Sequence, residues 1–186
     1  MINKFRSLQN KYAKGKTVIY LLIITLAVYG FMLFYTIPSV MEFSNGMKLF
    51  DMQPLGYDAD YARLLLDTLG EQGRSQYLYH QIPVDMVYPL LFAVSFSLLI
   101  VYVFEKSSID KNWIYWISLV PLLAGLFDYI ENIGIIVMLT SFPDFSTEWA
   151  NMTCLFTVSK SMLTTLFWVL LLVGLVMIVK RKFRRT

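Results

Sequence analysis

The sequence predicts an all-α integral membrane protein, with four transmembrane helices in a bundle and a short amphipathic helix in the long loop between helices one and two. Three observations predict it. Apolar residues make up 57% of the 186 residues and charged residues 16%, against roughly 45–50% and about 25% in soluble domains. Mean hydropathy is +0.57. Four apolar stretches are each long enough, at about 20 residues, to cross roughly 30 Å of hydrocarbon. None alternates with period two, so helices rather than barrel strands must satisfy the backbone there.

Residues 1–16 form a basic tail with Lys4, Arg6, Lys11, Lys14 and Lys16. Residues 17–37 carry no charge and read as the first span, stopped by Pro38. That stretch exceeds the apolar core of a cleaved signal peptide, so it reads as retained. Residues 38–82 form the one substantial loop. Its Glu42, Asp51, Asp58, Asp60, Asp67 and Glu71 outnumber Lys48, Arg63 and Arg74. Within it, 58–69 has helical spacing: Asp58 is a plausible N-cap, Tyr61, Leu65 and Leu69 repeat every four residues, and Gly70 and Gly73 supply the stop. Such a one-stripe helix suits the membrane surface, either as a cap on the bundle or as a lid over a site within it. Residues 75–82 extend the second helix outward, with Pro83 permitting a kink.

Span two is 83–104 and starts with Asp85. Span three is 113–140 and carries Asp128, Glu131 and Asn132, whereas span four is 153–179 and carries Lys160. Residues 180–186 are a second basic tail. Counting Lys106 and Lys111, twelve of the sixteen basic residues fall on one side, which places both termini in the cytoplasm of a plasma or inner membrane. The basic tails read as topology determinants with affinity for anionic membrane lipid, not as nucleic-acid contacts. The sequence shows no internal repeat and no second soluble domain.

Ionisable residues in a bilayer are costly, about 2.5–3.5 kcal/mol each on insertion scales, and so are functional candidates. Asp85 lies 20 residues from Glu105, Glu131 lies 20 from Lys111, and Lys160 lies 20 from Lys180. At 1.5 Å per residue all three sit about 30 Å from the inner boundary, near the outer leaflet. Asp128, Glu131 and Asn132 are spaced i, i+3, i+4 and share a face. Lys160 is the nearby cation able to neutralise them, but with Asp85 the set remains acidic. Either a proton is held there, or a cation or Arg74 completes the site. The candidate ligand-binding residues are therefore Asp85, Asp128, Glu131, Asn132, Lys160 and Arg74.

One cysteine, Cys154, and one histidine, His80, exclude a disulfide framework, a CxxC redox pair and a cysteine-based zinc site. No metal and no cofactor is expected, and no motif assigns a catalytic residue. The layout resembles four-helix membrane proteins of the sterol-isomerase and sigma-2-receptor type. The shared features are the long segment between helices one and two, acids inside the bundle and a basic C-terminal tail. That resemblance implies a bundle fold and assigns no residue. The missing cysteines separate the chain from quinone-linked thiol oxidoreductases. The leading expectation is binding or transport of a cation, a proton or a small polar or amphipathic molecule at the acidic cluster. The alternatives are a membrane enzyme acting on a lipid or isoprenoid by acid–base chemistry, and an assembly partner of another membrane protein. A homo-oligomer is compatible with all three.

Overall fold

The computed structural model describes residues 2–107 and 109–183 and is all-helical, with no strand among those residues. Four helical stretches are long and apolar enough to cross a membrane: Gly15–Met41, Ala59–Glu105, Asn112–Ser141 and Thr147–Phe183. Their outward faces are apolar and exposed, as at Ile19, Ile23 and Leu26 on the first and Met162, Val169 and Leu172 on the last. Such a surface suits lipid, because water would leave that apolar area unfavourably hydrated.

The chain begins with α1 (Ile2–Tyr12), where the sequence suggested a tail. Gln9 on α1 is buried, and its amide donates to Ser97 at 3.0 Å and to Ser118 at 2.8 Å, docking α1 against the two central spans. Then α2 (Gly15–Phe31) leads into a π turn, Met32–Thr36, and α3 (Ile37–Met41). Pro38 was expected to stop this helix, but the helix runs past it. In the widened turn the Ile37 N–H reaches back to Met32 O, and the turn absorbs the proline ring and its missing N–H.

Residues 42–58 are irregular apart from a 3₁₀ turn, Phe50–Met52, which Leu49 and Phe50 anchor by complete burial. Next comes α4 (Ala59–Gln76), N-capped by Asp58, whose carboxylate accepts from Tyr61 N at 2.7 Å. Gly70 breaks α4 with φ 61° and ψ −175°, a conformation open essentially to glycine. Ala62, Leu65, Leu66 and Leu69 are buried, and Tyr61 is half-buried with its hydroxyl donating to Lys48 O. A second π turn, Tyr77–Gln81, precedes α5 (Ile82–Asp85), and α6 (Tyr88–Glu105) completes the second span. Here too an Ile–Pro step follows the turn, and Ile82 N–H reaches back to Tyr77 O. Thr36 and Gln81, matched in position in the two turns, hydrogen-bond to each other in the interior.

The last two spans are α7 (Lys111–Ser141) and α8 (Thr147–Phe183), packed along their length. Apolar side chains gather into two clusters. One joins the 42–58 segment and α4 to the far end of α7 through Ile135 and Met138, and the other joins Ala13, α2, α6 and α8 to the near half of α7 through Ile114 and Ala124. Along α7, Asp128, Glu131 and Asn132 fall between the two. That interval holds the polar interior.

Candidate functional site: a lysine among carboxylates

Lys160, on α8, is the hub. Its Nζ lies 2.8 Å from Asp128 Oδ1, 2.5 Å from Glu131 Oε2 and 3.9 Å from Asp51 Oδ1. The α7 spacing of i, i+3 aims both Asp128 and Glu131 at α8, and the close packing of the two helices brings them within reach. Glu131 is fully buried, and its other oxygen accepts from Thr157 Oγ1 at 2.8 Å. Thr157 sits one turn before Lys160 on α8, so this pair of contacts sets the register between the helices.

The structure brings Asp128, Glu131 and Lys160 together and places Asn132 and Asp85 side by side behind them, with Asn132 Nδ2 donating to Asp85 O at 3.2 Å. Arg74 is placed elsewhere. Its guanidinium donates to Leu66 O at 2.7 Å and lies 4.5 Å over the Phe142 ring, so it serves the join between α4 and the end of α7.

The sequence reading missed Asp51. The buried Leu49–Phe50 anchor carries it inward, and Tyr77 Oη donates to its Oδ2 at 3.1 Å. Burial pushes the Asp51 carboxyl above its ordinary range, with Lys160 pulling the other way. Tyr57 lies in the same segment, and burial likewise pushes its phenol upward.

Beside the cluster is a cavity of about 310 Å³. Asp51, Asp128 and Lys160 form its charged wall, and Ser161, Thr164 and Thr165 add hydroxyls. Tyr29, Tyr88 and Phe92 supply an aromatic wall, with the two tyrosine rings stacked at 5.3 Å between centroids. Tyr29 belongs to α2 and Thr165 to α8, and both of these lining residues are exposed. Two carboxylates against one ammonium leave the charged part of the lining acidic, and aromatic rings in the same lining favour a cation. Among the described residues, no three His, Cys, Asp or Glu side chains are arranged to hold a metal ion.

Compared with known protein families, curated proteins and solved structures, the chain shows no match.

Proposed function

We propose that this chain is an integral membrane protein with both termini cytoplasmic, and that it binds a small amphipathic molecule with a cationic head in the cavity beside Lys160. The observation that carries the reading is the cavity's composition. Its lining joins an acidic set, Asp51 and Asp128 against Lys160, to the aromatic side chains of Tyr29, Tyr88 and Phe92. An ammonium head would meet both carboxylate and aromatic rings, while an apolar tail would leave between α2 and α8 toward lipid. The segment that supplies Asp51 and Pro54 then acts as the outer cover of the site, with α4 lying along the outer membrane surface. Burial of Glu131 within one chain supports an internal site over one at a seam between subunits.

The test uses the protein in detergent micelles, with choline and ethanolamine as cationic probes and glycerol as the neutral one. Choline or ethanolamine raises the unfolding midpoint, by a stabilisation of about 2.7 kcal/mol at a hundredfold excess over Kd. Glycerol does not. Thr164→Trp, which fills the cavity, and Asp128→Asn each remove the response. An equal response in both variants, or none in the parent protein, overturns the reading.

A further inference from the structure

One buried acid lies outside the reach of the lysine. Asp85 is 3% exposed, and its Oδ2 has no hydrogen-bond donor. Among the described residues it takes no part in an ion pair within 4 Å. Asn132 beside it is fully buried. Because Asn132 Nδ2 donates to Asp85 O, the orientation of the amide is fixed and its Oδ1 is the free end, also buried and without a donor. Two enclosed oxygens, one of them on a carboxylate, thus lack any positive partner. Water offers such oxygens protons at no cost, whereas a sealed interior does not.

The backbone around Asp85 is broken. Asp85 ends α5, Met86 and Val87 turn, and α6 begins with Pro89 in its first turn. On the other side, the π turn and Pro83 interrupt the regular ladder, and Pro83 has no N–H to offer the Tyr79 carbonyl. Interrupted helices inside a membrane release carbonyl oxygens from the regular ladder, and here the break coincides with a buried, unpartnered carboxylate oxygen, a combination that suits a small cation. The ionisable groups around Asp85 are Asp51 from the 3₁₀ turn, Tyr77 from the π turn, Tyr88 from α6, Asp128 and Glu131 from α7, and Lys160 from α8. Lys160 is already held by Asp128 and Glu131. The neighbourhood is short of positive charge.

We propose that Asp85 and Asn132 form an inner site for a monovalent cation, a proton or a sodium ion, taken up at Asp85 Oδ2. One carboxylate with neutral oxygens balances a single charge, whereas a calcium or magnesium site calls for several carboxylates or retained waters. This site is separate from the cavity and stands whether or not the cavity binds choline.

The experiment uses the whole protein in nanodiscs of zwitterionic lipid, with sodium chloride exchanged for N-methylglucamine chloride at constant ionic strength. If sodium is the occupant, it raises the unfolding midpoint at alkaline pH. Asp85→Asn abolishes that effect, Asn132→Leu weakens the apparent sodium affinity about tenfold or more, and Thr164→Trp leaves it unchanged. If a proton is the occupant, sodium has no effect. Infrared difference spectra between acid and alkaline pH then show a carboxylic-acid carbonyl band that Asp85→Asn removes. The sodium titration and the band are both read first on the unaltered protein, so a poorly folding variant does not close the test. The absence of both, or their persistence in a folded Asp85→Asn protein, overturns the proposal.

Discussion

At the residue scale, Lys160 carries the largest electrostatic burden. Three carboxylates lie within 3.9 Å of its ammonium, and Glu131 among them is sealed from solvent. Removing one partner of a buried ion pair costs about 3–5 kcal/mol, because the charge left behind keeps its desolvation penalty. Lys160→Met is therefore expected to lower unfolding stability by about that amount. Lys48→Met, on an exposed side chain, should stay within about ±0.5 kcal/mol. Combining Lys160→Met with Asp128→Asn and Glu131→Gln should restore part of the loss, since of the three carboxylates around the lysine only Asp51, the most distant at 3.9 Å, is left without a cation. Unfolding in detergent measures all three. A triple variant no more stable than Lys160→Met alone would refute the charge argument. Much of this was legible in the sequence: spacing put Asp128, Glu131 and Asn132 on one face, and Lys160 was the intramembrane cation available to them. Asp51 was not legible, because its inward position depends on the burial of Leu49 and Phe50 in an irregular segment. Arg74 misled for a similar reason, since a loop arginine beside acids gives no sign that a carbonyl and an aromatic ring will take it.

At the scale of elements, the apolar runs located the spans, but their ends follow local chemistry that hydropathy does not see. Pro38 reads as a stop until the π turn before it is known. The same device recurs at Pro83, and the segments Met32–Met41 and Tyr77–Met86 share the pattern Leu–aromatic or His–Ile–Pro–Met at matching positions. That correspondence is visible in the sequence but too short to stand out as a repeat. Close helix approach is likewise invisible without the fold. At Gly125 on α7, a Cβ would lie 2.7 Å from Pro89 O and 2.9 Å from Ala93 Cβ on α6, whereas at Gly30 on α2 it would meet nothing within 4 Å. Backbone cannot yield as a flexible side chain can, so α6 and α7 must part. Gly125→Ala should cost about 1–3 kcal/mol as overpacking. Gly30→Ala should be neutral or stabilising by up to about 1 kcal/mol through helix propensity. Thermal unfolding of the two variants side by side decides it, and equal midpoints would show that α6 and α7 are not held this closely.

At the scale of the whole molecule, the fold sorts charge between two ends. Arg6 on α1 donates to Asn112 at 2.9 Å, and Arg181 near the end of α8 donates to Lys106 O at 2.8 Å. These contacts gather the N-terminal helix, the turn between α6 and α7 and the C-terminal basic run at one end of the bundle. At the other end, Arg63 donates to Phe145 O at 3.1 Å and stacks on the Phe145 ring, and Arg74 is similarly tied to Leu66 O and Phe142. The few basic residues at that end are thus largely engaged by the protein itself. The expected orientation has the carboxylate cluster and its cover facing outward. In a Cys154→Ser background, Asp60→Cys and Glu105→Cys place single thiols on exposed positions at opposite ends. A membrane-impermeant maleimide applied to intact cells should label Asp60→Cys and reach Glu105→Cys only after permeabilisation. The reverse pattern would turn the molecule over. The cavity would then meet molecules arriving from the cytoplasm, and Asp85 would exchange its cation with the cytoplasmic pool, while every distance around Lys160 would stay the same.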